Sequence, residues 1–392
     1  MKSTTEKCDF CFSPLEYLYS PVNSKREARV FVCPECLLVQ TKYSKKIAEK
    51  KRPSISCDAD WGNIRIGKRN RLFSNLSFIL KYCDFTKIKT LLDVGSNRGD
   101  FIKYISQRFS HLKITAIEPD SNLIDYKNEF EVIKRKFEKV ELSEKYDFIY
   151  CSHTLEHVDS LRVFINKLKE VSKKDSILFI DVPNLIIIEK DRNIVEEFFM
   201  DKHTFHFTEE VLENIFLEMG FKVVAKEVDW YNIQFLLKPI EKKEKILHNY
   251  QKEKKLKEIK IFIKNYEMKL KENRKILEKL VTEKLSEFFK RQKVGFWGAT
   301  RVFDAFVKYG KLSPKDVFIL VDKYVWKVLP EVYGIPVREP EYLKIYTPHV
   351  IFVCARSSAK KIEKTTHEMG FRWVVTFDEL MSQGRLLFKD KL

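Results

Sequence analysis

Apolar and polar positions along the chain alternate between two kinds of pattern. Short, nearly continuous apolar runs read as buried strands, and stretches of helical period read as amphipathic helices. Residues 90–101, TLLDVGSNRGDF, read as strand, tight glycine turn and helix start, and residues 114–120, ITAIEPD, as a second strand ending in acids. Residues 146–158, YDFIYCSHTLEHV, form a β-rich run that ends in small and polar residues, followed by an amphipathic helix over 160–171. Residues 176–184, SILFIDVPN, read as a further buried strand with a Pro-Asn exit. A helix over 209–219 has Thr208 as its N-cap, Glu209 and Glu210 in its first turn and Gly220 at its end. Residues 241–293 lack proline and glycine. Their apolar stripe at Leu256, Ile259, Ile263, Tyr266, Leu270, Leu277 and Leu280 is spaced by threes and fours and interrupted by Asn273. This predicts one long helix, either packed along its own domains or paired with a second copy. Beyond it, 293–306 reads as strand, glycine turn and helix, 317–322 as a strand ending in Asp322, 333–340 as a turn-rich connector and 349–355 as a third strand. Alternation of strand and helix predicts an α/β chain with parallel sheets. Its parts are residues 1–60, 61–240, the helix 241–293, and a smaller Rossmann-like unit over 294–392.

The first glycine turn carries the most chemistry. Gly95 and Gly99 allow a sharp turn and a close approach of backbone to ligand. The helix beginning near Gly99 aims unsatisfied N–H groups at the same place. Glu118, at the end of the second strand, suits both hydroxyls of a ribose. A dinucleotide fingerprint would read G-x-G-x-x-G. The turn here is Gly95-Ser96-Asn97-Arg98-Gly99, preceded by Asp93, an acid that repels a pyrophosphate and suits a cationic amino group.

This combination resembles the S-adenosylmethionine site of class I methyltransferases, and the resemblance covers about residues 61–238. Asp147 followed by Leu155-Glu156-His157 is similar to a frequent signature of small-molecule methyltransferases. The resemblance implies that Asp93, Gly95, Ser96, Asn97, Gly99 and Glu118 hold the methyl donor. Cys151, Ser152 and His153 then face it from the strand end. Phe137 either covers the adenine or is a core aromatic. His157 fixes a helix start.

Composition bounds the rest. The 392 residues, 44% of them hydrophobic, allow two or three domains with sizeable cores. No apolar run reaches the roughly 18 residues that span a bilayer. The first residues show no signal-peptide core, so the expected location is cytoplasmic, where the eight cysteines act as thiols or ligands rather than disulfides. Cys8-x-x-Cys11 and Cys33-x-x-Cys36 are two knuckles that can complete a four-thiolate structural zinc site. Such a metal would stabilise a segment too small for its own core. Cys57, Cys83, Cys151 and Cys354 have no ligand spacing and read as buried thiols. The net charge of +17 favours anionic partners. Residues 241–293 hold 18 Lys and Arg against 9 Glu, more than half of that excess, as a solvated face or a binding patch.

A zinc module ahead of a methyltransferase occurs in ribosomal-RNA base methyltransferases and in bacterial sugar C-methyltransferases. A glycine-turn strand, Asp322, residues 334–337 (GIPV) and a late strand, in that order, resemble the carboxyl-terminal domain of the sugar enzymes. That resemblance implies a nucleotide-diphosphate sugar in the cleft, with Trp61, Arg65 and Lys68 either at its mouth or in a plain linker. It also implies a catalytic segment at 201–207, DKHTFHF, with His203 in the base position. Asp201, Lys202 and His206 depart there from the family's His, Glu and Tyr, which weakens carbon methylation and leaves an oxygen acceptor open. His203, His153 and His206 are the candidate proton-transfer residues. His203 and His206 otherwise serve packing or capping. The expected reaction is S-adenosylmethionine-dependent methyl transfer to carbon or oxygen of an activated sugar or glycan. A nucleic-acid methyltransferase and a non-catalytic nucleotide-binding scaffold, the latter dimerising through 241–293, are the rival readings.

Overall fold

The computed structural model describes residues 6–44 apart from 23 and 25, 69–120, 130–199, 203–241, 249–356 apart from 328, and 358–387. Trp61, Arg65, Lys68, Cys57, Asp201 and Lys202 lie outside these residues. The chain divides into two compact units. Of the described residues the first holds those up to 44, 69–190 and 203–263, and the second holds 191–199 and 264–387.

The first unit opens with a ribbon of β1 (Glu16–Tyr19), β2 (Ala28–Val32) and β3 (Val39–Tyr43). Helix α1 (Arg69–Tyr82) leads into β4 (Thr90–Val94), α2 (Asp100–Arg108), β5 (Lys113–Ile117), β6 (Glu131–Ile133) and β7 (Tyr146–Ser152). Then come α3 (Leu161–Glu170), β8 (Ser172–Pro183), α4 (Ile187–Lys190), β9 (Phe205–His206), α5 (Glu209–Glu218), β10 (Phe221–Val228) and β11 (Asn232–Pro239). The main sheet runs β10-β11-β8-β7-β4-β5-β6, parallel except where β11 meets its two neighbours. Parallel strands are buried on both faces, and the two-residue period sorts their side chains accordingly. Leu92, Val94, Ile149, Cys151, Leu178 and Ile180 pack with α3 and α5, whereas Leu91, Phe148, Tyr150 and Phe179 pack with α1 and α2. The hairpin β10–β11 has no counterpart in the sequence reading.

The ribbon is fastened to the sheet's α3 side. β3 pairs antiparallel with β9, Val39 opposite His206 and Gln40 opposite Phe205, so four strands run β1-β2-β3-β9. Ser160 occupies the N-cap of α3 without a side-chain capping bond. Asp9 of the ribbon supplies it instead: its Oδ2 accepts from Leu161 N at 2.6 Å and from Ser160 Oγ at 3.3 Å. Arg162 Nε donates to Phe10 O at 2.6 Å, with the guanidinium carbon 4.7 Å from the Phe10 ring centre. Thr208 likewise stands at the N-cap of α5 but makes no side-chain capping bond.

The long helix α6 (Asn249–Lys279) passes through a π-helical turn, Leu280–Leu285, into α7 (Ser286–Arg291). Within the first unit, Leu256 and Ile259 pack on the core. Lys252 pairs with Glu35 at 2.7 Å, Lys255 with Glu210 and Lys260 with Glu16. Part of the helix's positive charge is thus met by acids of its own chain.

In the second unit the helix core is Tyr266, Leu270, Ile276, Leu277 and Leu280, all buried. The interrupting Asn273 is fully buried, and its Nδ2 donates to Arg192 O at 2.9 Å and Ile194 O at 2.7 Å. Tyr266 OH accepts from Phe198 N at 2.8 Å. The polar break in the stripe is therefore the anchor for the segment 191–199. Strands β12 (Val294–Trp297), β13 (Ile319–Val321), β14 (Glu331–Val332), β15 (Ile335–Arg338), β16 (Val350–Val353) and β17 (Val374–Thr376) form a sheet of order β14-β15-β13-β12-β16-β17. Helices α8 (Arg301–Lys308), α9 (Leu343–Tyr346), α10 (Ala359–Glu368) and α11 (Phe377–Leu387) complete this second, Rossmann-like unit. The connector expected at 333–340 is in fact part of the sheet, because Ile335 and Val337 alternate inward. Asp322 accepts backbone N–H bonds from Ala299 at 3.1 Å and from Tyr324 and Val325 at 2.9 Å, which fixes the second glycine turn.

Asp9→Ala should cost about 1 kcal/mol, within the usual range for losing an N-cap, and Ser160→Ala less than half of that. Urea unfolding of the two variants measures the difference.

Candidate active site

Both glycine-turn residues adopt left-handed backbone, φ 76° at Gly95 and 71° at Gly99, with Asn97 between them at 52°. A Cβ on Gly95 would lie 2.1 Å from Thr154 Oγ1. The missing side chain thus makes room for Thr154, whose hydroxyl donates to Val94 O at 3.2 Å, as well as permitting the turn. Gly95 N and Ser96 N donate to Ile117 O at 2.8 and 3.1 Å, which closes the turn onto β5. Gly99 caps α2, and the first N–H groups of that helix face the turn.

Glu118 is 6% exposed. Its Oε2 accepts from Asn97 N at 2.8 Å and its Oε1 from Asp120 N at 2.9 Å. The acid expected to hold a ribose therefore also shapes the turn. Asp93 is 1% exposed, and its Oδ1 has no hydrogen-bond partner among the described residues. Burial, then the neighbouring Glu118 charge, pushes its carboxyl well above the usual range. A buried acid left unpaired beside a nucleoside turn is what a cationic ligand group would satisfy. This fits the amino group of an aminoacyl-bearing nucleoside. Phe137 is buried in the core with its ring 5.0 Å from Phe164 in an edge-to-face contact. Of its two readings, this places it as a core aromatic.

The strand end of β7 carries a second constellation. Ser152 Oγ donates to Asp181 Oδ2 at 2.8 Å, and Asn75 Nδ2 lies within 3.2 Å of both groups and 2.8 Å from Tyr150 OH. Gln234 Nε2 in turn donates to Asn75 Oδ1 at 2.7 Å. Tyr150 is stacked between Phe101 and Phe179, with ring centres 3.7 and 5.2 Å apart. Sequence reasoning missed this network because Asn75, Gln234 and Asp181 are brought together only by the sheet. His153 is held at φ 50°, with its N–H donating to Asp181 O at 2.7 Å and its Nε2 3.0 Å from Asn232 Oδ1. Such a conformation in a non-glycine residue persists only where surrounding bonds over-determine it.

Next to it lies Glu156, 1% exposed. His153 Nδ1 is 3.3 Å and His157 Nε2 3.7 Å from its Oε1. The His157 and His203 rings are 4.7 Å apart. Burial pushes the Glu156 carboxyl up, but His157, His153 and His203 outweigh it and hold the group below the usual range. His203 reaches this place because Thr204 N donates to Glu156 O at 2.8 Å, Thr41 N to Thr204 O at 2.9 Å and Tyr43 OH to His203 O at 3.3 Å. His206, on the same short strand, is buried with Nε2 2.8 Å from Thr41 Oγ1. Burial, then the nearby His203, pushes its imidazole well below the ordinary value. The structure thus gathers His153, His157 and His203 around Glu156, and sets His206 against the ribbon.

The four ribbon cysteines are free thiols whose sulfurs all lie within 4.8 Å of one another, Cys8 to Cys36 at 3.6 Å and Cys11 to Cys33 at 3.3 Å. A tetrahedral zinc with bonds of about 2.3 Å spaces its sulfurs by about 3.8 Å, so the set fits. Gln40 Nε2 points at Cys8 Sγ from 3.0 Å, a donor that suits a thiolate.

The strand order, with parallel strands flanked by an antiparallel β10–β11 pair, and the glycine turn at the sheet's carboxyl edge now stand beside a match to the family described as "Methyltransferase domain" over residues 65–226. Those residues are similar to that methyltransferase family. The chain is 29% identical over 112 residues to (S)-tetrahydroprotoberberine N-methyltransferase of Eschscholzia californica, covering 26% of this chain and 32% of that protein. It is 31% identical over 94 residues to malonyl-[acyl-carrier protein] O-methyltransferase of Acetivibrio thermocellus, covering 22% and 33%. The chain thus spans about a third of the length of these curated relatives. A solved S-adenosylmethionine-dependent methyltransferase from Aquifex aeolicus is 21% identical, with a TM-score of 0.37, covering 46% of this chain and 97% of its own. Among the described residues no helix is long and apolar enough to cross a membrane.

Asp93→Asn should stabilise the ligand-free protein at neutral pH. The native carboxyl binds its proton more tightly than the unfolded one, so stability falls as pH rises between the two pKa values, and the amide removes that loss. Melting curves should show a higher Tm for the variant at pH 7 and a difference that vanishes below about pH 4.

Proposed function

We propose that this protein transfers a methyl group from S-adenosylmethionine to a hydroxyl of a small polar acceptor, in the class of activated sugars or glycans. The unpaired, buried Asp93 beside the glycine turn and Glu118 carries the donor part of this reading. When bound, the donor supplies an electrophilic methyl on a sulfonium. Asp93 receives its amino group, Glu118 its ribose and the N-terminus of α2 its polar edge. His153 and His203, at the same sheet edge, accept the hydroxyl proton as the oxygen attacks. The C–S bond breaks, its electron pair stays on sulfur, and the proton leaves through imidazole to water. Alignment of the oxygen with the methyl supplies most of the acceleration.

The printed names of the relatives, an N-methyltransferase of (S)-tetrahydroprotoberberine and an O-methyltransferase of malonyl-[acyl-carrier protein], support a non-nucleic-acid acceptor. The oxygen acceptor is favoured over carbon because Lys202 stands in the sequence where the sugar C-methyltransferases carry the glutamate beside the base histidine. In this reading Cys8, Cys11, Cys33 and Cys36 hold a structural zinc, which closes the ribbon without an open coordination position. A homodimer and a nucleic-acid partner are not needed by it.

Methyl-labelled donor incubated with nucleotide-sugar, glycan and RNA fractions tests the reading. Label should appear in the sugar or glycan fraction, and label confined to RNA would overturn it. Glu118→Ala should weaken donor binding by about 10–100-fold, the loss of one or two charge-assisted hydrogen bonds. His203→Ala should leave donor affinity within about twofold and reduce kcat by about 100-fold or more, as read by calorimetry and single-turnover transfer.

A further inference from the structure

Glu156 is a buried carboxylate with neither oxygen hydrogen-bonded among the described residues, and both ring nitrogens of the adjacent His157 are buried in the same condition. Burial of such groups without partners is unfavourable. The donors converge: one oxygen of Glu156 and one nitrogen each of His157 and His203 lie within 4.8 Å of one another. His153 stands beside them, its Nδ1 3.3 Å from Glu156 Oε1 and its Nε2 3.0 Å from Asn232 Oδ1 and 3.6 Å from Asp181 Oδ2. A buried carboxylate and a neighbouring imidazole that lack hydrogen bonds among the described residues, converging with a second imidazole, are a donor set that a cation satisfies.

We infer that Glu156, His157 and His203, with His153 beside them, form a site for a divalent transition-metal ion, distinct from the four-cysteine site. Imidazole and carboxylate together suit zinc, iron, cobalt or manganese, whereas magnesium and calcium prefer oxygen donors throughout. Three or four protein ligands leave coordination positions open. The backbone bond from Thr204 to Glu156 and the N–H of His153 to Asp181 O hold the ligands from behind. An ion here would bind the acceptor oxygen and lower the pKa of its proton, which then passes to His153, since His203 as a ligand no longer serves as base. That use, though not the ion binding itself, rests on the hydroxyl-methylation reading.

The test uses the full chain, stripped with a chelator and reloaded with Co2+. Two equivalents should bind. One gives sulfur-to-cobalt charge transfer in the near ultraviolet, and the other lacks it. Glu156→Gln and His203→Ala should each weaken only the second equivalent, by more than the roughly 10–100-fold that loss of an outer partner costs, and keep the sulfur band as a sign of an intact ribbon. A single equivalent carrying only the sulfur band in the wild type overturns the site, as does a second equivalent that both variants retain. Transfer to a hydroxyl acceptor by metal-depleted protein bearing one sulfur-bound ion would sink the metal's role and leave the methylation reading standing. Two bound ions without transfer to any hydroxyl would do the reverse.

Discussion

The pairing of β3 with β9 is the constraint on which the active-site geometry depends. Together with the Thr204 N–H on Glu156 O, it holds residues 203–206 against the turn that carries Glu156, because this stretch has only a two-residue strand of its own. The pairing consists of Val39 opposite His206 and Gln40 opposite Phe205, the Thr41 N–H on Thr204 O and the Thr41 hydroxyl against buried His206. Each backbone bond is worth only about 1 kcal/mol net. Together they deliver His203 to a place 4.7 Å from the His157 ring. The ribbon is therefore part of the machinery. Asp9 and Arg162 bind it to α3 from the other side, so it is fastened at two independent places.

At the donor end, a different physical conflict is built in. Asp93 is kept buried and unpaired with Glu118 close by, which raises its pKa and costs stability. That cost is of the kind expected where a charged ligand group is to be received. The glycine turn shows how tightly the two ends of the site are joined: the space left by Gly95 is occupied by Thr154, one residue beyond His153. A change at the turn is consequently felt at the histidines through a single side chain.

Much of this was legible in the sequence. The apolar runs at 90–94, 146–152 and 176–182 marked the parallel strands because buried strands need no alternation, and the glycines at 95 and 99 marked the tight turn that follows the first of them. The paired C-x-x-C knuckles marked four thiols that the structure does gather. What stayed hidden arises from contacts across long separations. Glu156 sat in plain view in the LEH run, yet nothing local told that it would be buried without a hydrogen bond. Asn75 and Gln234 meet Ser152 and Asp181 only because α1 and β11 flank the same strand ends. Asn273 looked like a defect in a heptad stripe; it is the residue that captures the 192–194 backbone.

Amide hydrogen exchange by peptide, on the full-length wild type and on Cys33→Ser, tests the role given to the ribbon most directly. Loss of one thiolate should open the β3–β9 pairing, so exchange at residues 204–206 accelerates by about tenfold or more, a loss of at least about 1.4 kcal/mol of local protection. Exchange at the Gly95–Gly99 turn should stay as in the wild type. Unchanged protection of 204–206 in Cys33→Ser would contradict the account, because His203 would then be held in place by something other than the ribbon.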